Sequence, residues 1–147
     1  ATHATSDMNM AEDRIGADRL LGGYAWRRLL DSGAVIANGS DFPVELSNPF
    51  HGLYATVTRQ SRDGEPDGGW IADQALTRAE ALHSFTLAAA YAANQEDRLG
   101  SLEPGKWADF IIIDRDYFKI PNSEIDDIQV VQTWVGGKLM FDAGATQ

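Results

Sequence analysis

One carboxylate, Asp41, occupies the position in this sequence where a chemical role is easiest to place. It lies in Gly39-Ser40-Asp41-Phe42-Pro43-Val44, directly after the apolar run 34–37. Four apolar residues without polar alternation are typical of a parallel strand that is buried on both faces. Ligand-binding and catalytic side chains of parallel α/β proteins lie beyond the carboxyl ends of such strands. Asp41 is therefore a candidate site residue, although an Asx turn explains an aspartate here equally well.

The three histidines are the other side chains with obvious chemistry. His3, together with Asp7, lies in the first eight residues, which show neither a capping pattern nor periodicity and are expected to form a loop. A solvated surface loop is the simpler explanation for both, because loops are normally polar and exposed. His51 lies off the apolar face of its predicted helix and His83 neighbours apolar residues, so we expect both to be structural or surface residues.

The elements around Asp41 alternate between helix and strand. Apolar residues at spacings of three and four predict a helix over 18–32, which Gly33 can end in the left-handed conformation. After the predicted strand, Asn48-Pro49 provides an N-cap and a first helical residue, and a helix is expected to run to about Arg59. A helix followed closely by a strand is half of an α/β repeat.

Two segments separate this repeat from the last third of the chain. Residues 61–72 are rich in glycine, proline and acids and are expected to form a long loop. Its Trp70 can serve as the apolar wall of a functional lid, or the whole loop can be a mobile surface excursion. Thr77 and Glu80 match a capping box, and the alanine-rich helix that they open is expected to end near Asn94.

The last third changes to β structure. A β-branched centre predicts a strand over 108–114. The apolar segments 130–135 and 138–141, separated by Gly136-Gly137, are typical of a hairpin with a two-residue turn.

Composition limits the partners and the compartment. The 147 residues carry 12 Lys and Arg against 22 Asp and Glu, a formal net charge of −10, which argues against nucleic acid and anionic membranes as partners. Cysteine is absent, so neither a disulfide nor a thiolate metal site can form. No apolar run approaches the roughly 20 residues of a membrane span, and the opening residues lack the regions of a signal peptide. We expect about one domain and a cytoplasmic protein, unless an N-terminal signal has been lost.

Three motifs in order resemble the C-terminal part of a metal-dependent amidohydrolase. They are 39–44, Asn48-Pro49-Phe50 with 53–59, and 100–110. The similarity covers nearly the whole chain and is greatest to a branch of uncharacterised metal-dependent hydrolases and N-acyl-amino-acid deacylase relatives. The resemblance implies an α/β fold in which residues 1–98 form the C-terminal part of a (β/α)8 barrel, with 34–38 as its eighth strand. Residues 99–147 would be the C-terminal strands of the small flanking β domain.

The resemblance also implies a chemistry. In the family, the aspartate after the eighth strand lies at the metal centre and carries a proton from the metal-bound water to the leaving nitrogen; Asp41 corresponds to it. A divalent ion lowers the pKa of its bound water, and a carboxylate beside it can accept and redeliver the proton. The implied cofactor is a divalent metal, with zinc as the expected ion, and the implied substrate is a small amide. His3 and Asp7 match a loop after the seventh strand, where His3 would contact the substrate.

The chain departs from the family pattern at the metal centre. That centre needs a His-x-His pair and further ligands, whereas this sequence has three histidines and no such pair. Because catalytic zinc takes three protein ligands, we expect a fragment of a carbon–nitrogen hydrolase that binds no metal and is inactive in isolation. The alternative is a non-catalytic α/β module that serves folding or association. The open strand edges of a partial barrel also predict self-association.

Overall fold

The computed structural model describes residues 1–145, in which helices come first and strands last. The helices are α1 (His3–Ile15), α2 (Ala17–Leu20), α3 (Trp26–Asp31), α4 (Pro49–Thr58), α5 (Arg78–Phe85) and α6 (Leu87–Ala92), with short 3-10 helices at Ala72–Gln74 and Asn122–Glu124. The strands β1 (Phe110–Ile113), β2 (Val130–Val135) and β3 (Lys138–Asp142) form one antiparallel sheet in the order β1-β2-β3. Over this described range, no helix is long and apolar enough to cross a membrane.

The first helix lies where the sequence predicts a loop, so that prediction is wrong. α1 begins without a side-chain cap, and backbone carbonyls accept from its first amides: that of Ala1 from Ala4, and that of Thr2 from Thr5 and Ser6. Ala4 is fully buried in one cluster with Trp26 and Leu76. The helix is stabilised by this contact with distant parts of the chain, which leaves no capping signal in the local sequence.

The predicted strand over 34–37 is also wrong. Residues 34–40 have no regular secondary structure, and Val35 is 56% exposed. A strand needs a neighbouring strand for its backbone groups, and the described sheet contains only strands from the last third of the chain. Asn38 instead bonds to α5, since its amide donates to the Ser84 carbonyl and its side chain to the Ser84 hydroxyl, each over 2.9 Å. The α/β content is present, whereas the barrel itself stays a prediction.

The helix predicted over 18–32 is divided in two. A turn that contains the glycine pair 22–23 separates α2 from α3, and Tyr24 adopts the left-handed conformation with φ of 50°. A residue in that conformation ends a right-handed helix. The predicted apolar face changes as a result, because Leu21 is 65% exposed whereas Trp26 is buried.

Local capping signals predict the next helices correctly at their starts. Asn48 accepts a hydrogen bond from the Phe50 amide over 3.0 Å, with Pro49 at the first position of α4. Thr77 and Glu80 form the predicted capping box at the start of α5. The helix predicted to reach Asn94 is interrupted at Thr86, whose φ of −122° and ψ of −91° separate α5 from α6.

The main core joins the helices to the last third of the chain. Its buried members come from α4, α5 and the segment before β2: Phe50, Leu53, Tyr54, Ala81, Tyr117, Ile125 and Ile128. Arg78 strengthens the junction, because its guanidinium donates to the carbonyls of Tyr117 and Ile120 and, over 2.7 Å, to the Asn122 side chain. This core spans the proposed boundary between residues 98 and 99, and the two-domain division stays a prediction.

The hairpin of β2 and β3 is confirmed. Its turn residues Gly136 and Gly137 have φ of 56° and 73°, and two successive positive φ values are the geometry of a type I′ hairpin turn. β1 pairs with β2 on one side only, and β3 likewise, so both outer edges of the described sheet are open.

One ion pair connects α3 to the start of α5. Both terminal nitrogens of Arg27 donate to the Glu80 carboxylate, over 2.8 and 2.5 Å, and the amide of Thr77 donates to the same carboxylate over 2.8 Å. The hydrogen bonds from Arg27, followed by those from Thr77 against the opposing effect of burial, lower the pKa of Glu80 to about 2. Glu80 therefore both caps its own helix and anchors α3.

We predict that Glu80→Gln lowers the free energy of unfolding at neutral pH by about 1 to 2 kcal/mol, a value reduced for partial solvent screening. Because the folded pKa is about 2 and the ordinary value is 4.5, the contribution is fully present above pH 4.5 and is lost as the pH falls through about 2. Urea denaturation of both proteins between pH 2 and 7 measures it. Glu65→Gln, an exposed loop substitution, is the control. A difference between wild type and Glu80→Gln that does not shrink with falling pH would contradict the assignment.

Self-association remains a prediction, and the sheet indicates where it should occur. β1 has an open edge and carries Ile111 and Ile112, which are 45% and 44% exposed. Because unpaired edges template pairing with another chain, we expect a mass above 16.0 kDa in size-exclusion chromatography with light scattering. Lysine at both isoleucine positions should restore the monomer mass, while Leu102→Lys, at an exposed site outside the sheet, should not. A monomeric wild type would refute the prediction.

Candidate functional site

The structure brings together the two residues that the sequence singles out for chemistry. His3, at the start of α1, places its Nε2 3.9 Å from Oδ2 of Asp41, and their side chains are 35% and 73% exposed. Asp41 has φ of 55°, a conformation that aspartate tolerates better than most residues. Both side chains remain accessible to a small molecule.

The carboxylate of Asp41 is not used to close the turn in which it lies. Within the described residues, the Val44 amide donates to the Asp41 carbonyl over 2.9 Å, and the Phe42 amide donates to the Ser40 hydroxyl over 3.3 Å. The Asx-turn alternative would require the carboxylate to accept such a bond. Its oxygens therefore remain available for proton transfer or ligand binding.

A second contact holds α1 against the same turn region. The Ser6 hydroxyl donates to Oε1 of Glu45 over 2.6 Å, across an exposed gap. Ser6 lies three residues after His3, so this bond joins the first turn of α1 to the segment that follows Asp41. The His3–Asp41 pair thus spans a junction between α1 and residues 39–45.

Asp7 does not lie in a solvated loop. It is partly buried on α1, and the Tyr24 hydroxyl donates a short hydrogen bond to its Oδ2. Burial, followed by the interaction with Asp7, raises the pKa of Tyr24 to about 12. Tyr24 therefore stays a neutral hydrogen-bond donor at physiological pH.

The residue behind Tyr24 is Arg59, which the sequence marks only as a helix end. Arg59 is fully buried, and its guanidinium lies 4.4 Å from the Trp26 ring centre and 5.4 Å from that of Trp70. Nε donates to the Trp70 carbonyl over 2.9 Å and Nη1 to the Tyr24 carbonyl over 3.2 Å. Burial lowers its pKa to about 10, against an opposing effect of Asp73. No local pattern reveals this role, because it depends on burial.

The other two histidines are expected from the sequence to be structural or surface residues, and neither is part of the His3–Asp41 pair. His83 is exposed, and His51 Nε2 lies 3.3 Å from Nδ2 of Asn48. Burial and the charge of Arg62 lower the pKa of His51. His51 lines a polar cavity of about 820 Å³ that neither His3 nor Asp41 lines.

The donors in residues 1–145 do not suffice for a metal ion. No group of three or more His, Cys, Asp or Glu side chains is placed to hold one in this part of the chain. The pair supplies two donors, whereas a catalytic zinc site has three protein ligands. Asp41 can contribute one oxygen ligand, but these residues by themselves do not fit the ion.

Comparison of the sequence with known proteins identifies its family. A sequence model described as the amidohydrolase family matches residues 1–141. The chain therefore belongs to the amidohydrolase family, as the motifs predict.

Individual relatives agree with this membership. The chain is 33% identical over 140 residues to Protein LONG AFTER FAR-RED 3 of Arabidopsis thaliana, which covers 95% of this chain and 24% of that protein. It is 32% identical over 116 residues to N-substituted formamide deformylase of Arthrobacter pascens, covering 79% of this chain and 21% of that protein. The chain thus spans about a quarter of the length of these curated relatives.

A solved structure supports the fold. The crystal structure of an amidohydrolase from Thermotoga maritima MSB8 superposes with a TM-score of 0.60, at 22% identity, over 81% of this chain and 26% of that chain. The arrangement of helices and sheet is therefore shared with part of that solved protein.

We predict that Arg59→Lys destabilises the protein by about 2 to 3 kcal/mol, because a lysine ammonium cannot bond to both carbonyls and stack on two indoles at once. Urea denaturation measures the change. Arg98→Lys is the matched control, since Arg98 is exposed and lies 6.0 Å from the ring of Trp107. Equal effects of the two substitutions would show that the buried guanidinium is not a structural centre.

Proposed function

We propose that this chain is part of a metal-dependent hydrolase of carbon–nitrogen bonds in small non-peptide amides, with Asp41 as the proton-transferring residue. Family membership supports the reaction class. The single observation that carries the residue assignment is the exposed Asp41 carboxylate, which makes no hydrogen bond within residues 1–145 and faces His3 at 3.9 Å. A carboxylate that is not used in a turn or cap can accept a proton or bind a ligand.

The chemistry follows from what a carboxylate can do. Asp41 accepts a proton from the attacking water as the new carbon–oxygen bond forms, and then delivers that proton to the leaving nitrogen as the carbon–nitrogen bond breaks. The carboxylate returns to its ionised form, so the cycle is balanced. His3 Nε2 lies 3.9 Å from the same carboxylate, and His3 is proposed to contact the substrate.

The substrate class has support from one relative. The deformylase of Arthrobacter pascens is named for N-substituted formamides, and its similarity covers 79% of this chain. We propose that N-acyl or cyclic amides of comparable size are substrates here. A compact amide suits an exposed pair of side chains that presents one carboxylate and one imidazole.

We further propose that the metal ligands other than Asp41 lie outside the described residues, and that the 147 residues alone are inactive. Too few donors are placed together in residues 1–145 to hold an ion, which supports this proposal. The same observation favours a second candidate, a non-catalytic folding or association module, as the description of these residues in isolation. Zinc content after dialysis, measured by mass spectrometry, should be negligible for this chain.

We predict that Asp41→Asn lowers amide hydrolysis by about 10²- to 10⁴-fold, the usual contribution of a general acid–base residue. Stability should change by less than about 0.5 kcal/mol, because the side chain is exposed and asparagine also accepts a positive φ. The assay uses a family protein that contains this sequence together with its metal ligands, supplied with zinc, and a panel of N-formyl amines and cyclic amides.

Asp67→Asn, in the exposed part of the 61–72 loop, is the control and should leave the rate unchanged. Activity that survives Asp41→Asn would show that another group moves the proton. A wild-type protein that hydrolyses none of the amides would instead remove the proposed reaction class.

A further inference from the structure

We propose that Tyr24 and Asp7 are positioning residues that hold His3 against Asp41, with Arg59 as their anchor. That the placement of His3 beside Asp41 matters for catalysis rests on the proposed function. The positioning itself is a property of the fold and can be measured without a substrate.

The anchor is rigid because Arg59 connects two loops at once. Its Nη1 bonds to the carbonyl of Tyr24 and its Nε to that of Trp70, while Trp26 and Trp70 flank the guanidinium. Nη2 of this guanidinium already has no hydrogen-bond partner among the described residues. Loss of the Tyr24 carbonyl would leave a second buried nitrogen unsatisfied, and this cost holds the backbone of Tyr24 in place. The residue that this bond holds has a left-handed φ of 50°.

The side chain of Tyr24 transmits this constraint to α1. Its ring packs edge-on against Trp70, with ring centres 5.8 Å apart, which fixes the direction of the hydroxyl. That hydroxyl donates to Asp7, a partly buried residue of α1. The chain of contacts therefore runs from a fully buried cation to a helix that lies largely at the surface.

Asp7 controls His3 through helical geometry. The two residues are four positions apart on α1, so their side chains lie on the same face, one turn from each other. Rotation of α1 about its axis would move both side chains together. A bond that fixes Asp7 consequently fixes the side of the helix on which His3 faces Asp41.

Few other contacts fix the orientation of α1 about its axis. Ala4 is buried against the cluster of Trp26 and Leu76, which sets the distance of the helix but provides no directional bond. The Ser6–Glu45 hydrogen bond is exposed to solvent and competes with water. The Ala1 amino group donates to the Gly39 carbonyl over 3.0 Å, also at an exposed site. Of these directional contacts, the Tyr24–Asp7 bond is the partly buried one.

The test measures how strongly His3 senses Asp41. In the ¹³C-labelled chain at one fixed pH, Asp41→Asn should displace the His3 ring signal, which is assigned by its loss in His3→Gln. In the Tyr24→Phe background this displacement should fall to less than half. Tyr91→Phe, at an exposed tyrosine outside the network, should leave it unchanged. The signals of His51 and His83 report whether each variant is folded.

A second pair of variants decides the matter if Tyr24→Phe disturbs the fold. Asp7→Ala, which removes the acceptor of the Tyr24 hydroxyl, should reduce the displacement in the same way, whereas Asp13→Ala, at an exposed site on α1, should not. An equal displacement in the wild type and in the folded network variants would overturn the proposal. No displacement in the wild type would overturn it too, because the pair would not exist in solution. Neither result bears on the hydrolysis rates that test the proposed function.

Discussion

The buried guanidinium of Arg59 is the interaction on which the first half of the structure depends. A charge in the interior is costly. Here two backbone carbonyls and two indole rings surround the guanidinium, while its Nη2 is buried without a hydrogen-bond partner among the described residues. Tyr24 and Trp70 lie in turns, and Trp26 is the first residue of α3. The need to satisfy one cation therefore orders the turn at Tyr24, the start of α3 and the loop at Trp70 around the end of α4.

The candidate site is exposed, whereas the residues that support it are largely buried beneath it. Asp41 stands on an irregular segment and His3 on the first turn of a helix, and neither side chain is needed for the core. The supporting residues, by contrast, are buried or half-buried. This separation suits a reactive pair, since the accessible groups can meet a ligand while rigid groups behind them set the geometry. The family relationship indicates the class of reaction in which the pair would take part. Because residues 1–145 place no third metal-binding side chain beside it, we assign the pair only part of an active site.

The rest of the chain supports this region through a second core. The helices α4 and α5 bury their apolar faces against Tyr117, Ile125 and Ile128, and Arg78 joins the same segments by hydrogen bonds. The sheet that follows is covered less completely, since apolar side chains such as Met140 remain exposed, this one at 66%. The molecule therefore combines two well-packed clusters with a sheet whose faces and edges remain open.

The sequence by itself determined the features that depend on neighbouring residues. The Asn48-Pro49 start of α4, the Thr77–Glu80 capping box and the Gly136-Gly137 turn are all local hydrogen-bond or φ requirements, and all form as predicted. The motifs also identified the family and drew attention to Asp41 and His3. Only the tertiary structure decided that 34–37 is not a strand, that α1 is a helix, and that Arg59 and Tyr24 support the pair. These outcomes depend on partners distant in the chain, because hydrogen-bond satisfaction and burial are set by the whole fold.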